Sequence, residues 1–231
     1  MHKDEIIQVF EKQASGYDSQ WLNMAPIYES LFFFLDSIFA ELSNRSRLLC
    51  VGVGTGKELI HLARKNPGWT FTAVEPSKAM LDVCRSSLEE EGLKSRCDFH
   101  EGYLETLPNK ELYNGATCCL VSQFVLEREN RSAFFNEISK RLRSDAILIN
   151  ADLSVDINSE KYEDLLRLWY GVMSARKTSS EDVERMKVAY SKSVAMLPPD
   201  SIASIIKEGG FKTPIHFFQA GLIHAWFAKN R

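Results

Sequence analysis

The sequence predicts an α/β fold: a doubly wound, mostly parallel sheet of seven strands, with an antiparallel C-terminal strand and a helical insertion after strand 5. Three observations predict it. Residues 47–64 read as strand, glycine-rich turn and helix. Four more short apolar runs, near 69–75, 96–101, 116–121 and 146–153, alternate with helical stretches. Two further strand-like runs meet at Ala220-Gly221 and close the chain. Continuous apolar runs alternating with helices indicate a parallel sheet covered on both faces.

Composition bounds the rest. The 231 residues, 45% hydrophobic and 26% charged, suit one domain with a small subdomain at most. A chain of this length buries roughly 70–75% of its unfolded surface and needs no disulfides. The net charge of 28 − 31 = −3 argues against a nucleic-acid partner. The five cysteines, at 50, 84, 97, 118 and 119, form no Cys-x-x-Cys pair. Neither a metal site nor a disulfide framework is expected, and reduced thiols fit a cytoplasmic protein. The polar N-terminus does not read as a signal peptide. The run from Leu31 to Phe39 is too short and interrupted to span a membrane.

In chain order, residues 4–13 form a short helix, with Ile6, Val9 and Phe10 on one side. Residues 24–43 read as a helix with an apolar stripe at Leu31, Phe34, Leu35, Ile38, Phe39 and Leu42. Phe32 and Phe33 point off that stripe, toward a neighbouring element or a partner; a homodimer is one such arrangement.

The turn Gly52-Val53-Gly54-Thr55-Gly56 follows the first strand. Glycine serves where the chain bends sharply and a ligand approaches the backbone. The next helix then offers its unpaired N–H groups. A phosphate-cradling P-loop is rejected, because Val51 stands where it needs glycine and Glu58 where it needs Ser or Thr. The dinucleotide fingerprint wants its third glycine three residues after the second, where Lys57 stands; NAD or FAD is disfavoured without being excluded.

The second strand ends at Glu75, nineteen residues after Gly56. An acid at that tip can accept hydrogen bonds from both hydroxyls of a ribose. Pro76 and Ser77 follow, and Ser77 is placed to cap the next helix. That helix ends near Glu91-Gly92. The third strand covers about 96–101, Tyr113-Asn114-Gly115 reads as a turn, and 116–121 is the buried fourth strand.

The Gly-x-Gly-x-Gly turn, with Glu75-Pro76-Ser77 opening a helix, resembles the class I S-adenosylmethionine (SAM) dependent methyltransferases. The resemblance covers roughly residues 5–153 by motif and the rest by element order. It implies that SAM is the cofactor and that Gly52, Gly54, Gly56, Glu75, Pro76 and Ser77 bind it. The family's acid two residues before the first glycine is Cys50 here, and its Asp after the third strand is replaced by Tyr103. Tyr103 and Leu104 would then flank the adenine. Phe10, Ala14 and Tyr17-Asp18 resemble the N-terminal cap of small-molecule methyltransferases, in which the tyrosine closes over bound SAM; Tyr17 takes that role. Ser122, Gln123 and Phe124, beyond the fourth strand, stand where the family lines its methyl-transfer site.

A helix follows at 130–143 and the fifth strand at 146–153; between them Arg141-Leu142-Arg143-Ser144-Asp145 resembles the family's turn, without its Pro and Gly. Asp152 lies at its tip, where it could orient a substrate proton or cap the next segment. Residues 158–193 exceed the bare fold. Tyr162, Leu165, Leu166, Leu168, Trp169, Val172 and Met173 mark one amphipathic helix, and Ser179 caps a second at 181–192. An insertion here can act as a lid. The chain is therefore read as one SAM-binding domain, 1–231, with a helical cap at 1–45 and a lid at 155–195.

Methyl transfer from a sulfonium depends mainly on orientation, which can supply about 7–11 kcal/mol. A strong base is not required. If one acts, Tyr17, His100 and Asp152 are the candidates, with His216, His224 and Glu127 behind them. The expected function is methyl transfer to O or N of a small molecule. The C-terminal half also looks similar to the carboxy-SAM synthases of tRNA wobble-uridine modification, with Phe218-Gln219 before the final hairpin. Those enzymes hold a carboxylate with an arginine of the insertion, for which Arg176 and Arg185 are candidates. A non-catalytic SAM-binding regulator or scaffold is the third reading.

Overall fold

The computed structural model describes residues 3–109, 111–174 and 178–231. Three helices precede the sheet: α1 (Lys3–Gln13), α2 (Tyr17–Gln20) and α3 (Ala25–Ile38). Strands and helices then alternate as β1 (Arg47–Val51), α4 (Lys57–Lys65), β2 (Thr70–Glu75), α5 (Lys78–Glu90), β3 (Cys97–Glu101), β4 (Tyr113–Cys119), α6 (Arg128–Ser139) and β5 (Leu142–Leu153). The helices α7 (Tyr162–Ser174), α8 (Ser180–Ser193) and α9 (Pro199–Glu208) come next, and β6 (Ile215–Ala220) and β7 (Ile223–Lys229) close the chain.

The seven strands run in the order β3-β2-β1-β4-β5-β7-β6. β1 to β5 are mutually parallel, and β7 inserts antiparallel between β5 and β6. The fold is thus the doubly wound, mostly parallel sheet that the sequence predicts. Strand order reverses between β1 and β4. In open α/β sheets a ligand binds beyond the strand ends at such a reversal.

Side chains alternate between faces along each strand, so the sheet separates two cores. Leu48 and Cys50 of β1 face α3, α4 and α5, meeting Leu35, Phe39, Leu59, Leu62 and Leu81. Leu49 and Val51 share the opposite core with Phe135 and Ile138 of α6 and Ile202, Ile205 and Ile206 of α9. A third cluster joins Leu166 and Trp169 of α7 to Val183 and Met186 of α8, and to Met24, Leu153 and Leu222. The α7–α8 pair is thereby packed onto the sheet end where the site lies. Ser179 starts α8 with a reciprocal cap: its hydroxyl accepts from the Asp182 N–H at 3.1 Å, and the Asp182 carboxylate accepts from the Ser179 N–H at 3.0 Å.

Local readings shift in three places. The helix expected over 24–43 stops at Ile38, because Phe39 turns inward against Trp69, ring centroids 6.2 Å apart. Tyr113-Asn114-Gly115, expected as a turn, begins β4 instead; Asn114 Oδ1 accepts from the Arg47 N–H and Gly115 packs beneath Phe39. β5 starts at Leu142 rather than 146, continuing through a register shift at which Asp145 takes a φ of 62°. Asn114-Gly115 marks a turn by composition and 141–145 by resemblance, and strand pairing overrides both. Among the described residues, no helix is long and apolar enough to cross a membrane.

Candidate active site

The glycine turn beyond β1 is shaped by its backbone. Gly52, Gly54 and Gly56 all have positive φ, at 64°, 54° and 89°. A side chain would be strained at each, for reasons that differ. A Cβ on Gly52 would stand 2.4 Å from Val121 Cγ2, and one on Gly56 would stand 2.6 Å from Cys84 Sγ. A Cβ on Gly54 would meet nothing within 4 Å. Gly54 therefore leaves open space where the turn borders the cavity, whereas Gly56 serves the packing of α4 on α5.

Glu75 closes the turn from β2. Its Oε2 accepts from the Gly54 N–H at 3.0 Å and its Oε1 from the Ser77 N–H at 2.9 Å. The carboxyl group is fixed in place, with lone pairs left for a ligand's hydroxyls. Burial raises its pKa above the usual carboxylate range, and the two N–H donors oppose that rise. Ser77 caps α5 by accepting from the Met80 N–H.

The N-terminal helices bind the same loops. Glu11 of α1 accepts from Ser77 Oγ at 2.9 Å and from the Ala79 N–H at 3.1 Å. Asp18 of α2 accepts from Thr55 Oγ1 at 2.9 Å and pairs with Lys57 Nζ at 3.3 Å. These contacts bring Tyr17 over the turn, edge-on to Phe10 and Trp21. Burial, then the nearby Asp18, Glu75 and Glu58, push the Tyr17 phenol up to about 12, so it stays a neutral hydroxyl donor. Tyr28 is shifted the same way, chiefly by burial.

Together these parts line a partly open cavity of about 1110 Å³ at the β1/β4 reversal. One end is lined by Gly52, Gly54, Glu75, Pro76, Ser77, Tyr103 and Leu104. The other is lined by Phe10, Tyr17, Trp21, Tyr28, Phe32 and Phe124. Phe32 thus turns into the cavity, while its neighbour Phe33 is 66% exposed on the protein surface.

The structure draws in only some of the residues that the sequence singles out. Ser122, Gln123 and Asp152 lie behind the cavity wall, not on it. Asp152 is fully buried, with its Oδ2 2.8 Å from Arg131 Nη2, and it accepts from Ser122 Oγ at 2.7 Å and the Gln123 N–H at 3.0 Å. Arg131 also donates to the carbonyl of Ala195, where the insertion rejoins the fold. This network holds the loop after β4 in a shape that gives Leu120 a φ of 60° and aims Phe124 inward. His100 hydrogen-bonds Thr106 at 2.8 Å and does not line the cavity. His216 and His224 stack with Trp226 on the terminal hairpin. Arg176 lies outside the described residues, and Arg185 is exposed and paired with Asp182. Burial raises the thiols of Cys50, Cys84, Cys97, Cys118 and Cys119 above their usual range, which favours the protonated form.

Glu58, in the first turn of α4, is a site residue that the sequence reading missed. It lines the cavity while only 8% exposed, and burial, with Glu75 nearby, raises its carboxyl to about 7. A signal was present, because Glu58 lies one turn before Leu62 on the inward face of an amphipathic helix.

Comparison with known proteins bears on the fold that carries this cavity. Residues 48–145 match the family model described as a methyltransferase domain. An uncharacterized methyltransferase of Bacillus licheniformis is 34% identical over 97 residues, 41% of this chain and 45% of that protein. The match spans less than half the length of that relative. A carboxy-S-adenosyl-L-methionine synthase of Campylobacter hominis is 23% identical over 235 residues, 99% of this chain and 97% of that protein. Among solved structures, an O-methyltransferase family protein from Burkholderia thailandensis superposes with a TM-score of 0.63 at 11% identity, over 99% of this chain and 60% of that one. This is the class I methyltransferase fold.

Proposed function

We propose that the chain is a SAM-dependent methyltransferase acting on an oxygen or nitrogen atom of a small-molecule acceptor. Glu75 carries the reading. Its two oxygens are each fixed by a backbone N–H, one from the glycine turn and one from the cap of α5, at the edge of a cavity of about 1110 Å³. The residues present fit SAM: a carboxylate for the ribose hydroxyls, Tyr103 and Leu104 for the adenine, and an open Gly54 between them and the rest of the cavity. When bound, SAM supplies a methyl group made electrophilic by the sulfonium.

The chain's own task is then to orient and to exclude water. Phe10, Trp21, Tyr28, Phe32 and Phe124 form an apolar wall suited to a flat or aromatic acceptor. Tyr17 closes over the cavity as a neutral hydroxyl. Residues 1–45 act as a cap, and 155–195, expected as a lid, instead brace the aromatic wall from behind, since none of the described residues among them lines the cavity. Positioning of this kind can lower a barrier by about 7–11 kcal/mol, which removes the need for a strong base. The apolar cavity and the net charge of −3 both favour a small acceptor over nucleic acid.

Calorimetric titration with SAM and S-adenosylhomocysteine, followed by an acceptor screen for S-adenosylhomocysteine release, tests the proposal. Tight binding with release is expected. Binding without release on any acceptor would favour a regulator instead. A second reading, a carboxy-SAM synthase, is favoured by the near full-length match to the Campylobacter hominis protein. Native mass spectrometry separates the two, since a retained carboxylated SAM differs in mass from SAM.

A further inference from the structure

Strand order fixes how a nucleoside lies in this cavity. Tyr103 and Leu104 follow β3, Glu75 ends β2, the glycine turn follows β1, and Leu120 follows β4. A ligand with its base at Tyr103 and its ribose on Glu75 sends its 5′ substituent across the glycine turn toward β1 and β4. Gly54 leaves that route open, as no atom lies within 4 Å of where its Cβ would be.

Glu58, in the first helical turn after the glycine turn, lines the same cavity with Glu75 nearby. It is 8% exposed and takes a hydrogen bond from its own backbone N–H. No cation among the described residues pairs with it: the adjacent Lys57 pairs with Asp18. Asp18 is engaged with both Lys57 and Thr55. Cys50 at the end of β1 is a buried, neutral thiol and cannot hold a cation. A buried carboxylate without a counter-ion is costly, and a cationic ligand group removes that cost on binding.

We propose that Glu58 binds the α-ammonium group at the amino-acid end of the cofactor, a contact supplied from the first turn of α4 instead of the end of β1. This rests on the reading of SAM as the ligand. It assigns to this chain an ammonium contact in a place where β1 offers none.

Titration of three ligands tests it. S-adenosylhomocysteine carries the ammonium; its desamino analogue lacks that group alone; 5′-methylthioadenosine lacks the whole amino-acid arm. Glu58→Gln is expected to weaken S-adenosylhomocysteine by about 10- to 100-fold, as for a charged hydrogen bond. It should leave methylthioadenosine within about twofold. Glu75→Ala should weaken both. A second arm needs no variant: the unaltered chain should bind the desamino analogue about tenfold or more weakly than S-adenosylhomocysteine. Equal affinities there, or equal losses for the two natural ligands in Glu58→Gln, would overturn the Glu58 contact while leaving the cofactor reading intact. Failure of the unaltered chain to bind S-adenosylhomocysteine and methylthioadenosine would overturn both.

Discussion

The two ends of the cavity are built by different means. The end at β1 and β2 is made of backbone: three positive-φ glycines and two N–H groups that fix Glu75. The aromatic end is made of side chains from α1, α2, α3 and the loop after β4, supported from behind by the α7–α8 insertion. A backbone-built site demands particular residues at fixed spacing, because few residues tolerate those φ values. A side-chain-built site demands only volume and apolarity, which many residues supply. The first end therefore carries a motif, and the second carries none.

The sharpest test of that contrast lies behind the aromatic end. Arg131→Met leaves Asp152 buried without its cation and should cost about 3–5 kcal/mol of stability, measured by denaturant unfolding. Because the pair also ties Ser122, Gln123 and Ala195, acceptor-side order should be lost before SAM affinity. If affinity fell first, the two ends would not be separable.

Glu58 tests the boundary between the ends by pH. Its carboxyl titrates at about 7 in the fold against 4.5 for the ordinary group. A raised folded-state pKa favours folding below pH 4.5, and that advantage is lost as pH rises toward 7. Glu58→Gln removes the titration. The ligand-free variant should match the parent near pH 4.5 and exceed its stability by about 3 kcal/mol at pH 8. Thermal melts at both pH values check this, and a gap that does not widen with pH would contradict it.

Glu75→Ala should weaken SAM binding by about 1–3 kcal/mol, read by calorimetry. Unchanged affinity would remove the ribose role from the backbone-built end. The smallest effect belongs to the insertion. Ser179→Ala removes one half of a reciprocal cap and should destabilise by about 1 kcal/mol, seen as a small fall in melting temperature. SAM affinity should not change, since α8 touches only the far wall.

How much was legible follows the same division. The Gly52–Gly56 turn and Glu75 could be placed from spacing. Ser122, Gln123 and Asp152 were rightly set near the end of β4 and β5, yet their side chains turn into a buried network with Arg131, a partner from α6 that no local pattern announces. Glu58 was read only as the residue that rules out a P-loop. Its burial depends on Glu75, Cys50 and Tyr17 converging from three other elements.

By itself the sequence determined the strand–helix alternation and the backbone of the glycine turn, because each follows from local sterics and periodicity. The tertiary structure alone decided which polar side chains reach the cavity. Strand pairing turned Tyr113–Gly115 into sheet, the Arg131–Asp152 pair drew Ser122 and Gln123 away from the ligand space, and close packing around α4 left Glu58 facing it without a cation. Those outcomes depend on neighbours distant in the chain, and on the cost of burying charge, which is settled only when all of them are in place.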